Sequence, residues 1–150
     1  MANFPQRIVF VDDDASIRKL ARRILENYDP TLVLVTCATG QELLSRFREL
    51  QPDVVLLDLK MPGMTGPDVV ETLRDKADGR DIPIIIVTGF PVEMTEEYKR
   101  LGVIGVIQKP FYAATLPAEI EAMWTAHKGP DAQSAIAENG VVDKVVKQGP

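Results

Sequence analysis

Five short β-branched runs alternate with longer amphipathic stretches along this chain, and no feature constrains its fold more strongly. The runs are Arg7–Asp12 (RIVFVD), Thr31–Cys37 (TLVLVTC), Asp53–Asp58 (DVVLLD), Ile82–Thr88 (IPIIIVT) and Val103–Gln108 (VIGVIQ). They are nearly continuous in apolar character rather than alternating. A strand of that kind buries both of its faces, which points to a parallel sheet covered by helices on each side. Between the runs, apolar residues recur at helical spacing. Ile17, Leu20, Ala21, Ile24 and Leu25 form one stripe, and Leu43, Leu44, Phe47 and Leu50 a second. Val69, Val70 and Leu73 mark a third helix. Met94–Leu101 reads as a short polar fourth, and Leu116–Ala126 as a fifth with Pro117 in its first turn. Right-handed crossovers then leave only a few doubly wound α/β arrangements.

The chain has 150 residues, which fits one domain. No apolar run approaches the roughly 18 residues of a membrane span. Residues 1–7 lack the basic-then-apolar pattern of a signal peptide. One cysteine, Cys37, cannot form an internal disulfide, so a reducing, cytoplasmic location is expected. The net charge of −5 disfavours direct nucleic-acid binding, and a single histidine, His127, disfavours a His-rich metalloenzyme. After Lys128 the chain turns small and polar, with Gly-Pro at both ends. The expected division is therefore a folded domain over 1–128 and a tail over 129–150. That tail is expected to be flexible, or to form a short helix through Val141, Val142, Val145 and Val146.

In a doubly wound sheet, ligands bind beyond the carboxyl ends of the strands, at the switch point of strand order. The polar residues of the runs collect at that end. Asp12 and Asp13 end the first, Asp58 the third and Thr88 the fourth, and the fifth leads directly into Lys109. Two carboxylates about 4 Å apart repel by about 4 kcal/mol at an effective dielectric of 20. A hard divalent cation such as Mg²⁺ removes that repulsion, and also accepts phosphate oxygens. Thr88 and Lys109 suit the remaining oxygens of a phosphoryl group. Asp58, alone at the end of the central run, is the candidate nucleophile. Taken singly, each residue has an ordinary explanation. Asp caps helices, as expected of Asp14; Thr favours strands; Lys-Pro makes turns. Their joint placement at strand ends is harder to explain by capping.

These residues resemble the receiver domain of two-component response regulators. The resemblance rests on VDDD with Arg18, LLDLKMPGMTG around Asp58, IIIVTG at Thr88 and GVIQKPF at Lys109, and it covers about residues 7–127. It implies a flavodoxin-like fold with strand order 2-1-3-4-5. It makes Asp58 the phosphoacceptor, Asp12 and Asp13 the acidic pair for Mg²⁺, and the Lys60 backbone carbonyl a further metal ligand. Thr88 becomes the switch hydroxyl, and Lys109, before a cis Pro110, the lysine that pairs with the phosphoryl oxygens. The implied donor is a histidine kinase or a histidine phosphotransfer protein. The implied output is a protein target that reads the face of the fourth helix, fifth strand and fifth helix, near Met94, Tyr98, Ile104 and Val106. A homodimer is possible, although the acidic pairings of OmpR-type dimers are not evident in VIGVIQ.

The chain departs from the family pattern at three places. Val106 stands where an aromatic is frequent, so rotation of a ring there cannot be its switch. Gly89 stands where Ala is common. Lys60 and Phe90, two residues beyond Asp58 and Thr88, occupy positions that tune hydrolysis in the family, and a long cation and an apolar ring there would obstruct an attacking water. Slow to moderate loss of the phosphoryl group is therefore expected. Three rival readings remain. A haloacid-dehalogenase-type phosphatase needs a second Asp where Lys60 stands. A flavodoxin-like cofactor binder needs a phosphate loop where Asp13-Asp14-Ala15 stands. A pseudo-receiver, a pure docking module, usually lacks the acids or the lysine. Within 150 residues there is no room for an output domain, so the expectation is either a stand-alone receiver or one cut from a larger regulator or hybrid kinase.

Overall fold

The computed structural model describes residues 4–76, 79 and 81–138. Its elements alternate throughout: β1 (Arg7–Val11), α1 (Ala15–Tyr28), β2 (Val33–Cys37), α2 (Gly40–Leu50), β3 (Val54–Leu57), α3 (Gly66–Arg74), β4 (Ile84–Thr88), α4 (Glu96–Arg100), β5 (Val103–Gln108) and α5 (Leu116–Glu138). The five strands form one parallel sheet in the order β2-β1-β3-β4-β5. This is the doubly wound, flavodoxin-like arrangement expected from the sequence.

Each strand divides its side chains between two helical layers, as the twofold strand period requires. Ile8, Phe10, Val54, Leu56, Ile85 and Val87 pack with Ala21, Ile24 and Leu25 of α1 and Leu116, Ile120 and Trp124 of α5. Val9, Val11, Val55, Leu57, Ile84 and Ile86 pack with Leu43 and Phe47 of α2 and Val69, Val70 and Leu73 of α3. The central strands have no solvated face, which is why their sequences show no polar alternation. Trp124 is buried and seats α5 on the sheet. Cys37 is buried beside the α2 layer, and burial, helped by Glu42, pushes its thiol up to about 11. It packs as an inert apolar residue.

Several element boundaries differ from expectation, each for a local reason. β2 begins at Val33 rather than Thr31, because the Thr31 N–H and hydroxyl both donate to Asp29 Oδ1, at 3.0 and 2.6 Å. β4 begins at Ile84, just after Pro83, which has no N–H for the ladder. α4 is five residues long, because Thr95 caps it, its hydroxyl accepting from the Tyr98 N–H at 3.1 Å, which leaves Met94 outside. α5 runs past the expected Ala126 to Glu138, broken at Gly129, whose φ of 82° and ψ of 153° are not helical. The suggested helix through Val141–Val146 lies outside the described residues.

Candidate functional site

The strand order reverses between β1 and β3, and the acids meet there. Val11 pairs with Leu57 across that junction, so Asp12 and Asp58 leave the sheet side by side. The Asp58 N–H donates to the Val11 carbonyl at 3.0 Å, and the Asp12 N–H to the Cys37 carbonyl at 3.1 Å. These backbone bonds fix where both carboxylates emerge. Carboxylate oxygens of Asp12, Asp13 and Asp58 lie within 4.8 Å of one another. Asp12 and Asp58 are buried and Asp13 is exposed at the mouth.

Lys109 lies between the buried pair. Its Nζ is 2.7 Å from Asp12 Oδ2 and 3.5 Å from Asp58 Oδ1. The Lys109 N–H donates to the Thr88 carbonyl at 2.7 Å, and the Lys109–Pro110 bond is cis, as anticipated. Burial disfavours the ammonium, but Asp12 and Asp58 outweigh burial and raise its pKa. The pKa of Asp58 is also raised, chiefly by burial and then by Asp12. Lys109 and the Lys60 backbone N–H oppose that rise.

The loop after β1 is arranged to present these acids. Asp14 caps α1, its Oδ1 accepting from the N–H groups of Ser16 and Ile17, at 2.8 and 3.4 Å. Its own N–H donates to Asp12 Oδ1 at 2.9 Å, so the cap also orients the buried acid. Arg18 Nη1 donates to the Asp12 carbonyl at 2.7 Å. Beyond β3, the Gly66 N–H closes the loop onto the Leu59 carbonyl at 2.8 Å. A Cβ on Gly66 would lie 2.9 Å from the Asp58 carbonyl and 3.0 Å from Leu59 Cα, both backbone atoms that cannot give way. Gly66→Ala is therefore expected to cost about 1 to 2 kcal/mol in urea unfolding. An unchanged midpoint would show that the loop yields freely.

The donor set fits a divalent cation. Asp12 Oδ2 is buried and meets Lys109 Nζ at 2.7 Å, a single cationic neighbour for an oxygen that carries more than one lone pair. A buried carboxylate oxygen with spare lone pairs, beside two further acids, is the hard-oxygen environment that Mg²⁺ takes.

Thr88 is fully buried at the end of β4. Its hydroxyl accepts from the Phe90 N–H at 3.1 Å and, among the described residues, makes no hydrogen bond to Asp58. Two contacts beyond the strand ends were not read from sequence. Lys60 Nζ lies 4.5 Å over the centroid of the Phe90 ring, which joins the loops after β3 and β4. Gln108 Nε2 donates to the Phe90 carbonyl at 3.0 Å and steadies the same loop. The only available signal for the second was a polar residue ending an apolar strand. Of the four residues expected near the output face, Met94, Tyr98 and Val106 lean on the α2–α3 layer and Ile104 on the α1–α5 layer.

Comparison with known proteins follows the same lines. A family profile described as the response regulator receiver domain matches residues 8–121. The DNA-binding response regulator MtrA of Mycobacterium tuberculosis is 37% identical over 126 residues, covering 81% of this chain and 52% of that protein. The probable C4-dicarboxylate response regulator DctR of Halalkalibacterium halodurans is 28% identical over 143 residues, covering 95% of this chain and 61% of that one. The chain thus spans little more than half the length of these relatives. The solved structure of the chemotaxis response regulator CheY4 of Vibrio cholerae superposes with a TM-score of 0.69 at 30% identity, covering 77% of this chain and 96% of that one.

Proposed function

Because the chain belongs to the response regulator receiver family, we propose that it works as a switch in which Asp58 takes a phosphoryl group from phosphohistidine on a histidine kinase or histidine phosphotransfer protein. The observation that carries this reading is the buried carboxylate of Asp58 within a cluster of two more acids and Lys109. An Asp58 oxygen forms the new O–P bond as the donor's P–N bond breaks, and the imidazole leaves with the electron pair. Mg²⁺, held by Asp12, Asp13, Asp58 and the Lys60 carbonyl, would neutralise charge on the transferring group. Lys109 is placed to exchange its contact with Asp58 for a phosphoryl oxygen. Thr88 would donate its hydroxyl proton to another, biasing two preformed states of the α4–β5–α5 face. The output we propose is contact with a protein target rather than nucleic acid, with a homodimer through the same face as one form of it.

A cytoplasmic location belongs to the same proposal, supported by the lone, buried Cys37. No helix among the described residues is long and apolar enough to cross a membrane. We assign the receiver unit to residues 1–128, ending at the break at Gly129, and the tail to 129–150. The test is incubation with Mg²⁺ and acetyl phosphate or beryllofluoride. One adduct per chain, absent in Asp58→Asn, is the expected result. No adduct with any donor would sink the switch and leave a docking module.

The Lys60–Phe90 contact bears on the lifetime of the phosphoryl group. An ammonium seated on a ring between the two loops would hinder a water approaching Asp58. Lys60→Asn and Phe90→Ala are each expected to speed dephosphorylation by up to about tenfold, a barrier change of about 1.4 kcal/mol. The check is loss of labelled phosphate over time. A wild-type half-life of seconds, unchanged in both variants, would count against it.

A further inference from the structure

The amino ends of β4 and β5, opposite the carboxylate cluster, border a second concavity. It is an open hollow of about 480 Å³ whose lining includes Arg74, Asp81, Lys99, Arg100, Gly102 and His127. Three permanent cations therefore share one hollow with one carboxylate, in a chain whose net charge is −5. The volume lies within the range of small-molecule sites, roughly 300–1,000 Å³.

Arg74 is fixed in the wall of this hollow. Its Nε donates to the Leu101 carbonyl at 2.7 Å and its Nη1 to the Gly79 carbonyl at 2.8 Å. Its Nη2 is buried and has no hydrogen-bond partner among the described residues. Nη2 lies against Gly102, whose φ is +85°, and a Cβ at that position would collide with it. The bare glycine thus lets the guanidinium lie against the backbone with donors left over. Burial lowers the pKa of Arg74, and nearby Asp81 only partly offsets that. Nη2 itself has no exposed surface, so what Arg74 brings to the hollow is its positive charge, which an anion there would neutralise. Among the described residues the Lys99 ammonium pairs with Glu96 alone, in an exposed 3.4 Å contact that binds its charge weakly.

We propose that this hollow is a second ligand site, distinct from the phosphorylation site, and that it takes a small phosphate ester. Arg74, Lys99 and Arg100 hold the phosphate, which carries close to two negative charges at neutral pH. Asp81 accepts from a hydroxyl of the ester. A single acid among three cations disfavours a bare cation and suits a ligand with an anionic end and a hydroxyl donor. A small ester also matches an isolated hollow better than a nucleic-acid backbone, which needs an extended basic surface.

The test uses the full chain in EDTA without Mg²⁺, which keeps phosphate from any metal-dependent binding at Asp58. Glycerol 3-phosphate is titrated while amide and arginine Nε–H resonances are followed by NMR. Matched sodium chloride and glycerol titrations serve as controls. Saturable shifts at Arg74 and residues 101–104, with Lys109 and its neighbours unmoved, are expected. The Lys99→Glu/Arg100→Glu variant changes only exposed side chains and should weaken binding at least tenfold. Shifts that follow the chloride control, centre on Lys109, or persist in that variant would overturn the site.

Discussion

Replacing Lys109 with methionine is expected to destabilise the metal-free protein by about 3 kcal/mol at neutral pH. The ammonium lies 2.7 Å from Asp12 and 3.5 Å from Asp58, and both carboxylates are almost wholly inside. Methionine keeps much of the side-chain bulk and removes only the charge. Two buried carboxylates then face each other with no cation between them, in a medium that screens poorly. Burial already raises the folded-state pKa of Asp58, and removing the lysine that opposes the rise lifts it further. A carboxylate in that position folds without penalty while protonated and loses stability as pH rises through its folded pKa. The deficit should therefore be largest near pH 7.5 and shrink towards pH 5. Lys109 itself behaves the same way in the wild type. Its folded pKa is raised, so its contribution is full below the ordinary lysine value and is lost as pH rises through the folded one. Adding Asp12→Asn to the methionine variant should recover most of the loss, because the orphaned charge goes with it. Urea unfolding in EDTA at the two pH values measures all of this. A loss below 1 kcal/mol at pH 7.5, or one that grows on acidification, would show that the lysine does not neutralise the pair.

The second large effect concerns Mg²⁺. Asp13→Asn should weaken Mg²⁺ binding by about tenfold to a hundredfold, while leaving metal-free stability nearly unchanged. Asp13 is exposed, so the folded state does not lean on it, yet its carboxylate belongs to the same 4.8 Å cluster as Asp12 and Asp58. Asp58→Asn makes a useful contrast. Burial and Asp12 both penalise the Asp58 charge, so removing it should stabilise the metal-free protein slightly while also weakening Mg²⁺. The readout is thermal unfolding across a Mg²⁺ titration. A ligand that binds only the folded state adds about 2.7 kcal/mol at a concentration a hundredfold above its dissociation constant. Wild-type protein should show that rise, and Asp13→Asn should show it only at much higher Mg²⁺. Superimposable titrations would place the metal elsewhere.

The fold was legible because strand and helix carry different periods. Runs such as VVLL and IIIVT are apolar on both faces, which only a covered parallel sheet accommodates. The strand-end acids were legible for the same reason, since a carboxylate ending an apolar strand stands out and the topology of the sheet says where it emerges. Less accessible were features set by one or two local bonds. Asp29 captures Thr31 and shortens β2. Thr95 caps α4 one residue after Met94. Gly129 breaks α5 without ending it. In each case a short-range preference competes with the hydrophobic pattern, and the pattern alone does not reveal which prevails.

Asp12, Asp58, Thr88 and Lys109 are far apart in the chain, and their grouping follows from strand order, which the family resemblance implied, and from register, which the structure supplies. How they are arranged once grouped depends on tertiary contacts. Lys109 sits between two buried acids, 2.7 Å from Asp12 and 3.5 Å from Asp58. Lys60 lies over Phe90. The basic hollow belongs to the same class. Arg74, Asp81, Lys99 and Arg100 come from the ends of α3 and α4 and from the segment before β4, and they share no motif. Periodicity and motif spacing report the face and end of the sheet to which a residue belongs. The distance between two charges depends on side-chain rotamers and loop closures, and packing in three dimensions sets those.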